Sequence, residues 1–220
     1  RINGLRRFAT QVYPHARLHK VADALRCTEE DIVYYLCGSA LRRFFREYNA
    51  LPSAPMVALV ADRSRVDGQL CPLLISLGTQ HASRRLRLRE VRESLRVARG
   101  LVHARPAQKA SAEAAVEVLP YLLRQAAGID HRLPPMFNLG MAHFDSSTQP
   151  RYLGPAKVES IFPMPMLLQG SALAIASLSY AGHFHIGLCG ARDNLPHLQR
   201  MAVYMEAALC ELETEGLDDE

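Results

Sequence analysis

Several groups of residues have the types and spacing that chemistry requires. His143, Asp145 and Ser146 lie close together in Ala142-His143-Phe144-Asp145-Ser146-Ser147, placing an imidazole near a carboxylate and a hydroxyl. An imidazole titrates near neutrality, so one oriented by a carboxylate can take a proton from a hydroxyl. Successive residues of a strand point to opposite faces, however, and no GxSxG elbow surrounds Ser146, so the pattern favours a strand end over a nucleophilic triad. His183 and His185 are two apart and would share one strand face. With no third ligand in view they read as a hairpin face rather than a metal site. His19 and Asp23, four apart, read as a surface pair on a helix, and Asp67-Gly68 as a turn. Arg85, Arg89, Arg92, Arg96 and Arg99 form a stripe on one side of a predicted helix, with Arg84 and Arg87 adjacent and only Glu90 and Glu93 to offset them. Like charges four apart cost a few tenths of a kcal/mol each. Such a stripe suits a solvated face, an acidic surface of the same chain, phosphate groups of a ligand such as CoA, or anionic lipid. Without interleaved aromatic residues it does not suit nucleic acid.

The elements that must position these groups are legible along the chain. RFATQVY from Arg7 alternates like a strand, and HARLHKVADALR from His15 reads as a short amphipathic helix. Thr28 with Asp31 three residues on is a capping-box pattern. It opens a longer helix with Val33, Leu36, Cys37, Ala40, Leu41, Phe44, Phe45 and Tyr48 on its apolar face. Pro52 and Pro55 interrupt the chain before a buried strand, MVALVAD from Met56. LCPLLISL from Leu70 is a second strand, which Pro72 assigns to an edge or bulge. A long helix from about Ala82 to Ala104 presents Leu88, Val91, Leu95, Ala98 and Val102, and another is expected from about Ser111 to Ala127, bent at Pro120. FNLGMAHF from Phe137 is a strand. LAIASLSY, Ala181-Gly182 and HFHIGLCG form a hairpin. Asn194 is expected to cap a final helix beginning at Pro196, and residues 214–220 to fray. These elements make one α/β (α+β) domain over residues 1–220, a mixed, largely antiparallel sheet flanked by helices.

Bulk properties narrow the classes. The 220 residues are 49% apolar and 22% charged, ordinary for a globular protein. No continuous apolar stretch approaches the roughly 20 residues that span a bilayer, and the basic opening Arg1 to Arg7 precedes no apolar leader segment. The chain opens on arginine, which fits a fragment, a processed product or a trimmed chain. Cys27, Cys37, Cys71, Cys189 and Cys210 are odd in number and never spaced as CxxC. This points to free thiols in a reducing cytoplasm rather than a disulfide framework or zinc site. Charge is uneven: residues 1–110 hold 20 Lys/Arg against 9 Asp/Glu, and residues 111–220 hold 6 against 13. The halves either neutralise each other on folding or leave a positive surface for an anionic partner.

Three stretches together resemble the C-terminal domain of bacterial bifunctional wax ester synthase/diacylglycerol acyltransferases. They are RRFATQVYPHARLHKVADALRCTEEDIVYYLCGSALRRFF, then LPSAPMVALVADRSR, and then PPMFNLGMAHF continuing through PRYLGPAKVESIFPMPMLLQGSALAIASLSYAGHFHIGLCGARDNLPHLQRM. The resemblance implies one lobe of a chloramphenicol-acetyltransferase-like, CoA-dependent fold, in which two lobes enclose a tunnel for acyl-CoA and acceptor alcohol. It also implies that the catalytic histidine, in an HHxxxDG motif, belongs to the first lobe. No such motif occurs here. The family's Asn-Asp motif falls on Glu30-Asp31, where Asp31 can serve as a helix cap. Its Ser-Asn-Val-Pro-Gly-Pro stretch falls on Ala142 to Ser147, so the tunnel loop reached by Asn138, His143, Asp145 and Ser146 is altered.

The expectation is half of an O-acyltransferase that moves an acyl group from acyl-CoA to a fatty alcohol or diacylglycerol. It would take acyl-CoA as substrate with no cofactor, partner an N-terminal lobe, and work in the cytoplasm or at a membrane or lipid-inclusion surface. An isolated lobe is also expected to self-associate. The alternative is an inactive binding or scaffold protein that keeps the fold.

Overall fold

The computed structural model describes residues 4–62, 71–104, 136–168 and 170–216. The strands are β1 (Arg6–Pro14), β2 (Val57–Asp62), β3 (Cys71–Ser76), β4 (Leu139–Asp145), β5 (Tyr152–Leu153), β6 (Ala156–Lys157), β7 (Leu173–Tyr180) and β8 (His183–Ala191). The helices are α1 (His15–Ala24), α2 (Glu29–Glu47), α3 (Arg84–His103) and α4 (Gln199–Glu215). Six strands form one sheet in the order β1-β8-β7-β4-β2-β3, and β5 pairs only with β6. The β4 strand lies parallel to β2 and β7, and the other pairs of the large sheet are antiparallel. This is the mixed, largely antiparallel sheet expected, and Pro72 lies on its edge strand, β3, opposite Ala61. The helix expected over 111–127, the Asp67-Gly68 turn and residues 217–220 lie outside the described residues.

Alternation along each strand divides the sheet into two unlike faces. Val60, Met141, Ile175 and Leu188 stand in register across four strands, beside Ala58, Leu139 and Leu173. All are buried, in a core with Ile32, Leu36 and Leu41 of α2, Leu88, Val91 and Leu95 of α3, and Met201, Met205 and Leu209 of α4. The opposite face carries Leu59, Ala61, Gly140, Ala142, Ala174, Ala176 and Gly187, mostly small side chains. The segment Phe162–Leu168 lies across it. At Gly187 the approach is so close that an added Cβ would fall 1.8 Å from the Pro163 carbonyl oxygen, so only glycine admits this strap.

The helix start at Thr28 is as the sequence predicts. The Thr28 hydroxyl accepts from the Asp31 N–H at 3.1 Å, and the Asp31 carboxylate accepts from the Thr28 N–H at 3.0 Å. The β7–β8 hairpin turns through Ala181 and Gly182, both at positive φ (48° and 79°), as a two-residue primed turn requires. The start of the last helix departs from expectation. Asn194 does not cap it; the Asn194 and Leu195 N–H groups both turn back to the Ala191 carbonyl, and α4 begins only at Gln199. Burial of Leu195 and Leu198 holds this tighter turn against the core, and tertiary packing outweighs the local capping preference. The α4 helix runs to Glu215, and residues 217–220 of the tail expected to fray lie outside the described residues.

Charge neutralisation between the halves is direct. Arg17 of α1 reaches Glu206 at 2.6 Å and Glu213 at 2.7 Å on α4, and Arg200 of α4 reaches Glu47 of α2 at 2.8 Å. Among the described residues no helix is long and apolar enough to cross a membrane.

Candidate functional site

The β2, β4 and β7 strands run the same way and end together, at Asp62, Asp145 and Tyr180. Open α/β sheets bind ligands outside such carboxyl ends, and a polar pocket of about 680 Å³ opens there. His143, Asp145 and Ser179 line it from the sheet, His15 and His19 from α1, and Glu29 and Glu30 from the start of α2. On the small-residue face of the sheet a second, apolar groove of about 570 Å³ runs over Leu59, Gly140, Ala142, Ala174 and Ala176 and under Met164 and Met166. Ala61 and Phe144 line both, so the apolar groove and the polar pocket meet at the ends of β2 and β4.

His143 is held in place from both ring nitrogens. Its Nδ1 is 2.8 Å from Ser177 Oγ, and its Nε2 is 3.2 Å from Asp145 Oδ1 and 3.4 Å from Ser179 Oγ. The ring stacks on Phe184 at 5.0 Å, and His15 packs against the same phenyl ring at 4.6 Å. His15 Nδ1 is 2.6 Å from Glu29, and His19 lies 3.3 Å from both Glu29 and Asp23. Ser177 is buried, at 6% exposure, and does not line the pocket, so it anchors the imidazole rather than presenting a nucleophile. Ser179 at 3.4 Å is beyond the usual range of a good hydroxyl–imidazole bond. The Cys27 thiol, also on the pocket wall, is pushed up to about 11 by burial and by the Asp31 charge, so it is not a thiolate at neutral pH. The pocket can therefore orient a polar group, but it lacks the geometry of a self-sufficient hydrolase.

The other residues singled out from the sequence divide between this pocket and structural roles. Glu30 accepts from Tyr34 Oη at 2.7 Å and from Arg99 at 2.6 Å, whereas Asp31 is committed to the capping box and lies 4.0 Å from Arg92. Arg99 also binds Asp62 at 2.8 Å. Burial of Arg99 opposes its charge, but the Asp62 and Glu30 carboxylates outweigh that and hold it above the ordinary guanidinium range. Asn138 lies at the far end of β4. There its Oδ1 accepts from the Val57 N–H at 2.7 Å, pinning β4 to β2 away from the pocket. The Ser146 N–H donates to the Ser179 carbonyl at 3.0 Å, and Ser146 is not part of the pocket wall. Arg85, Arg89, Arg92, Arg96 and Arg99 do share one surface groove, of about 650 Å³, together with Asp31 and Glu93. Arg96 pairs with Glu93 at 2.6 Å. His185 is buried against Phe162, His183 is exposed, and among the described residues no group of three His, Cys, Asp or Glu could hold a metal ion.

Sequence reasoning missed Ser177, Ser179, Phe184, His15 and Asp62 as companions of His143. Strand register brings the serines and Phe184 there, and register is not written in any local pattern.

A mixed sheet covered by helices on one face, with a site at its carboxyl end, defines this chain as a chloramphenicol-acetyltransferase-like lobe. Its backbone matches the chloramphenicol acetyltransferase fold with a TM-score of 0.52 over 93% of this chain and 88% of that one, at 11% identity. The family model described as the WS/DGAT C-terminal domain matches residues 69–213, and the chain belongs to that family. A solved wax ester synthase/diacylglycerol acyltransferase from Marinobacter aquaeolei VT8 is similar with a TM-score of 0.87 and 28% identity, covering 98% of this chain and 50% of that one. A protein of Mycobacterium tuberculosis (strain H37Rv) named as a diacylglycerol O-acyltransferase is 31% identical over 218 residues, 96% of this chain and 49% of its own length. One of Mycobacterium bovis with the same type of name is 33% identical over 225 residues, 99% of this chain and 50% of its own. The chain thus spans about half the length of the curated relatives it matches.

Proposed function

We propose that this chain is the substrate-lining half of an acyl-CoA-dependent O-acyltransferase of neutral lipid synthesis, and that a second lobe supplies the base that deprotonates the acceptor alcohol. The observation that carries the reading is the junction at Ala61 and Phe144, where an apolar groove meets a pocket of imidazoles and carboxylates. A hydrocarbon chain in the groove would leave its polar end, thioester or hydroxyl, facing His143. Burial of that chain contributes about 0.8 kcal/mol per methylene. Acyl-CoA is the substrate, and the reaction needs no cofactor. Met164 and Met166, 73% and 83% exposed beside the groove, offer the second lobe an apolar surface, and copies of the isolated lobe a place to associate. The five free thiols agree with a reducing cytoplasmic setting, and the apolar substrate with work at or near a lipid surface.

The test is to narrow the groove. In the protein assembled with its N-terminal lobe, Ala142→Phe should lower turnover of long-chain acyl-CoA about tenfold, the equivalent of roughly two buried methylenes, and affect short-chain substrates less. Unfolding of the variant near the wild-type temperature confirms that it folds. Unchanged long-chain kinetics would refute the groove's role. A second reading, a silent lobe that keeps the groove without chemistry, draws on Glu30 standing where the family motif has Asn. It predicts lipid binding without turnover in the same assembled protein.

A further inference from the structure

A basin of about 890 Å³ lies between the C-terminal half of α2, the first turn of α3 and α4. It is separate from the polar pocket: Glu30 and Arg46 are sixteen residues apart on α2, roughly 24 Å at the helical rise. Its wall carries five arginines, Arg42, Arg43, Arg46, Arg84 and Arg87, against Glu47 and Glu211. Arg84 and Arg87 have further partners, so the charge to be balanced is that of Arg42, Arg43 and Arg46. Among the described residues Glu47 pairs with Arg200 at 2.8 Å and Glu211 with Arg43 at 4.0 Å.

Neutral oxygens accept from both central guanidinium groups. Arg42 donates to the Thr79 carbonyl at 2.7 Å and the Gln80 carbonyl at 3.3 Å. Arg87, 6% exposed, donates to Ser39 Oγ at 2.7 Å and to the Ala82 and His81 carbonyls at 2.9 and 3.2 Å, and lies over the Tyr35 ring. Arg43 stacks on Tyr204 at 5.0 Å. Among the described residues Arg42 and Arg46 make no ion pair. Arg46 gains from the carbonyl end of α2, but Arg42 lies a turn earlier, and burial with repulsion from Arg87 and Arg46 lowers its pKa from the ordinary value. At the rim, Ser83 caps α3, whose twenty residues end here in their positive pole.

We propose that this basin is a binding site for a phosphate-bearing ligand of at least two negative charges, such as a diphosphate or a phosphomonoester head, gripped by Arg42, Arg43 and Arg46 against the start of α3. Planar guanidinium forks match phosphate oxygens two at a time. The basin holds more than one phosphate, and with Glu47 paired to Arg200 the three gripping arginines outnumber the remaining carboxylate, Glu211, by two, which matches a ligand of two negative charges. The site is independent of the acyl-transfer reading and stands if that reading fails.

The experiment titrates the chain with inorganic pyrophosphate by calorimetry at low ionic strength. One-to-one saturable binding is expected, weakening as salt rises and falling at least about tenfold in the Arg42→Gln/Arg46→Gln variant. Arg89→Gln/Arg96→Gln, on the exposed stripe of α3, should bind as wild type. Without ligand the Arg42→Gln/Arg46→Gln variant loses the bonds to the Thr79 and Gln80 carbonyls together with the repulsion, and a cooperative unfolding transition within a few degrees of wild type shows that lost binding is not misfolding. Sedimentation with phosphatidic acid vesicles, compared with phosphatidylcholine vesicles, identifies the source. Co-sedimentation abolished by Arg42→Gln/Arg46→Gln assigns a lipid head group, and pyrophosphate binding without co-sedimentation assigns a soluble ligand. Absence of saturable pyrophosphate binding, or equal weakening by both double variants, would overturn the site.

Discussion

Arg99 ties together three elements around the candidate site. Its guanidinium on α3 bonds Glu30 of α2 and Asp62 of β2, and the Asp62 side chain is only 4% exposed. Removing one partner of such a group leaves the other charges buried and uncompensated, which costs several kcal/mol when burial is complete and less at the partial exposure of Arg99. Arg99→Met should therefore destabilise the fold by about 2 kcal/mol in urea unfolding, and adding Asp62→Asn should recover part of the loss. A loss that Asp62→Asn leaves untouched would show that the carboxylate is not what Arg99 holds. Only half of this site was legible from residue types. His143 and Asp145 announce themselves, because two residues apart on a strand means one face. Their partners Ser177 and Ser179 lie on another strand, and only the β4–β7 register, with His143 opposite Ser177, brings them in. The arginine stripe was legible as a stripe, but its pairing of Arg99 with Glu30 and Asp62 was not.

At the level of elements, sequence punctuation worked where a backbone rule was local and failed where packing decided. The capping box at Thr28 and the edge position of Pro72 follow from hydrogen-bond bookkeeping within a few residues, and both hold. Asn194 obeyed the same rules on paper, yet the burial of Leu195 and Leu198 moved the helix start to Gln199. The β7–β8 turn shows a local cost retained: Ala181 adopts φ 48°, where an L side chain loses about 1 kcal/mol. Ala181→Asn should relieve part of this and raise stability by roughly 0.5 kcal/mol in thermal unfolding. No gain would mean that the contact of the Ala181 N–H with the Ser147 carbonyl, 3.0 Å, already compensates the strain.

For the molecule as a whole, the strap Phe162–Leu168 turns an ordinary sheet face into a covered groove, and it also buries His185. That ring is 2% exposed beneath Phe162, and burial, with the nearby His183, lowers its pKa from 6.5. Below about pH 6.5 the unfolded chain takes up a proton at this position that the folded one refuses, so stability falls with pH until the folded ring also titrates. His185→Leu should flatten that part of the pH–stability curve, and an unchanged slope would place its origin elsewhere. Fold class was readable because periodicity reports which face of each element is buried. The groove was not, since small residues at Gly140, Ala142 and Ala176 look like weak strand positions until a strap is laid over them. The proposed function makes this lobe a holder of substrate that borrows its base. It is tested most directly by measuring CoA release from an acyl-CoA in the presence of a fatty alcohol, first with this chain alone and then with its N-terminal lobe added. No release above background is expected from the chain alone, and release from the pair should disappear when the catalytic histidine of the HHxxxDG motif becomes alanine. Ester formation by this chain alone would contradict it.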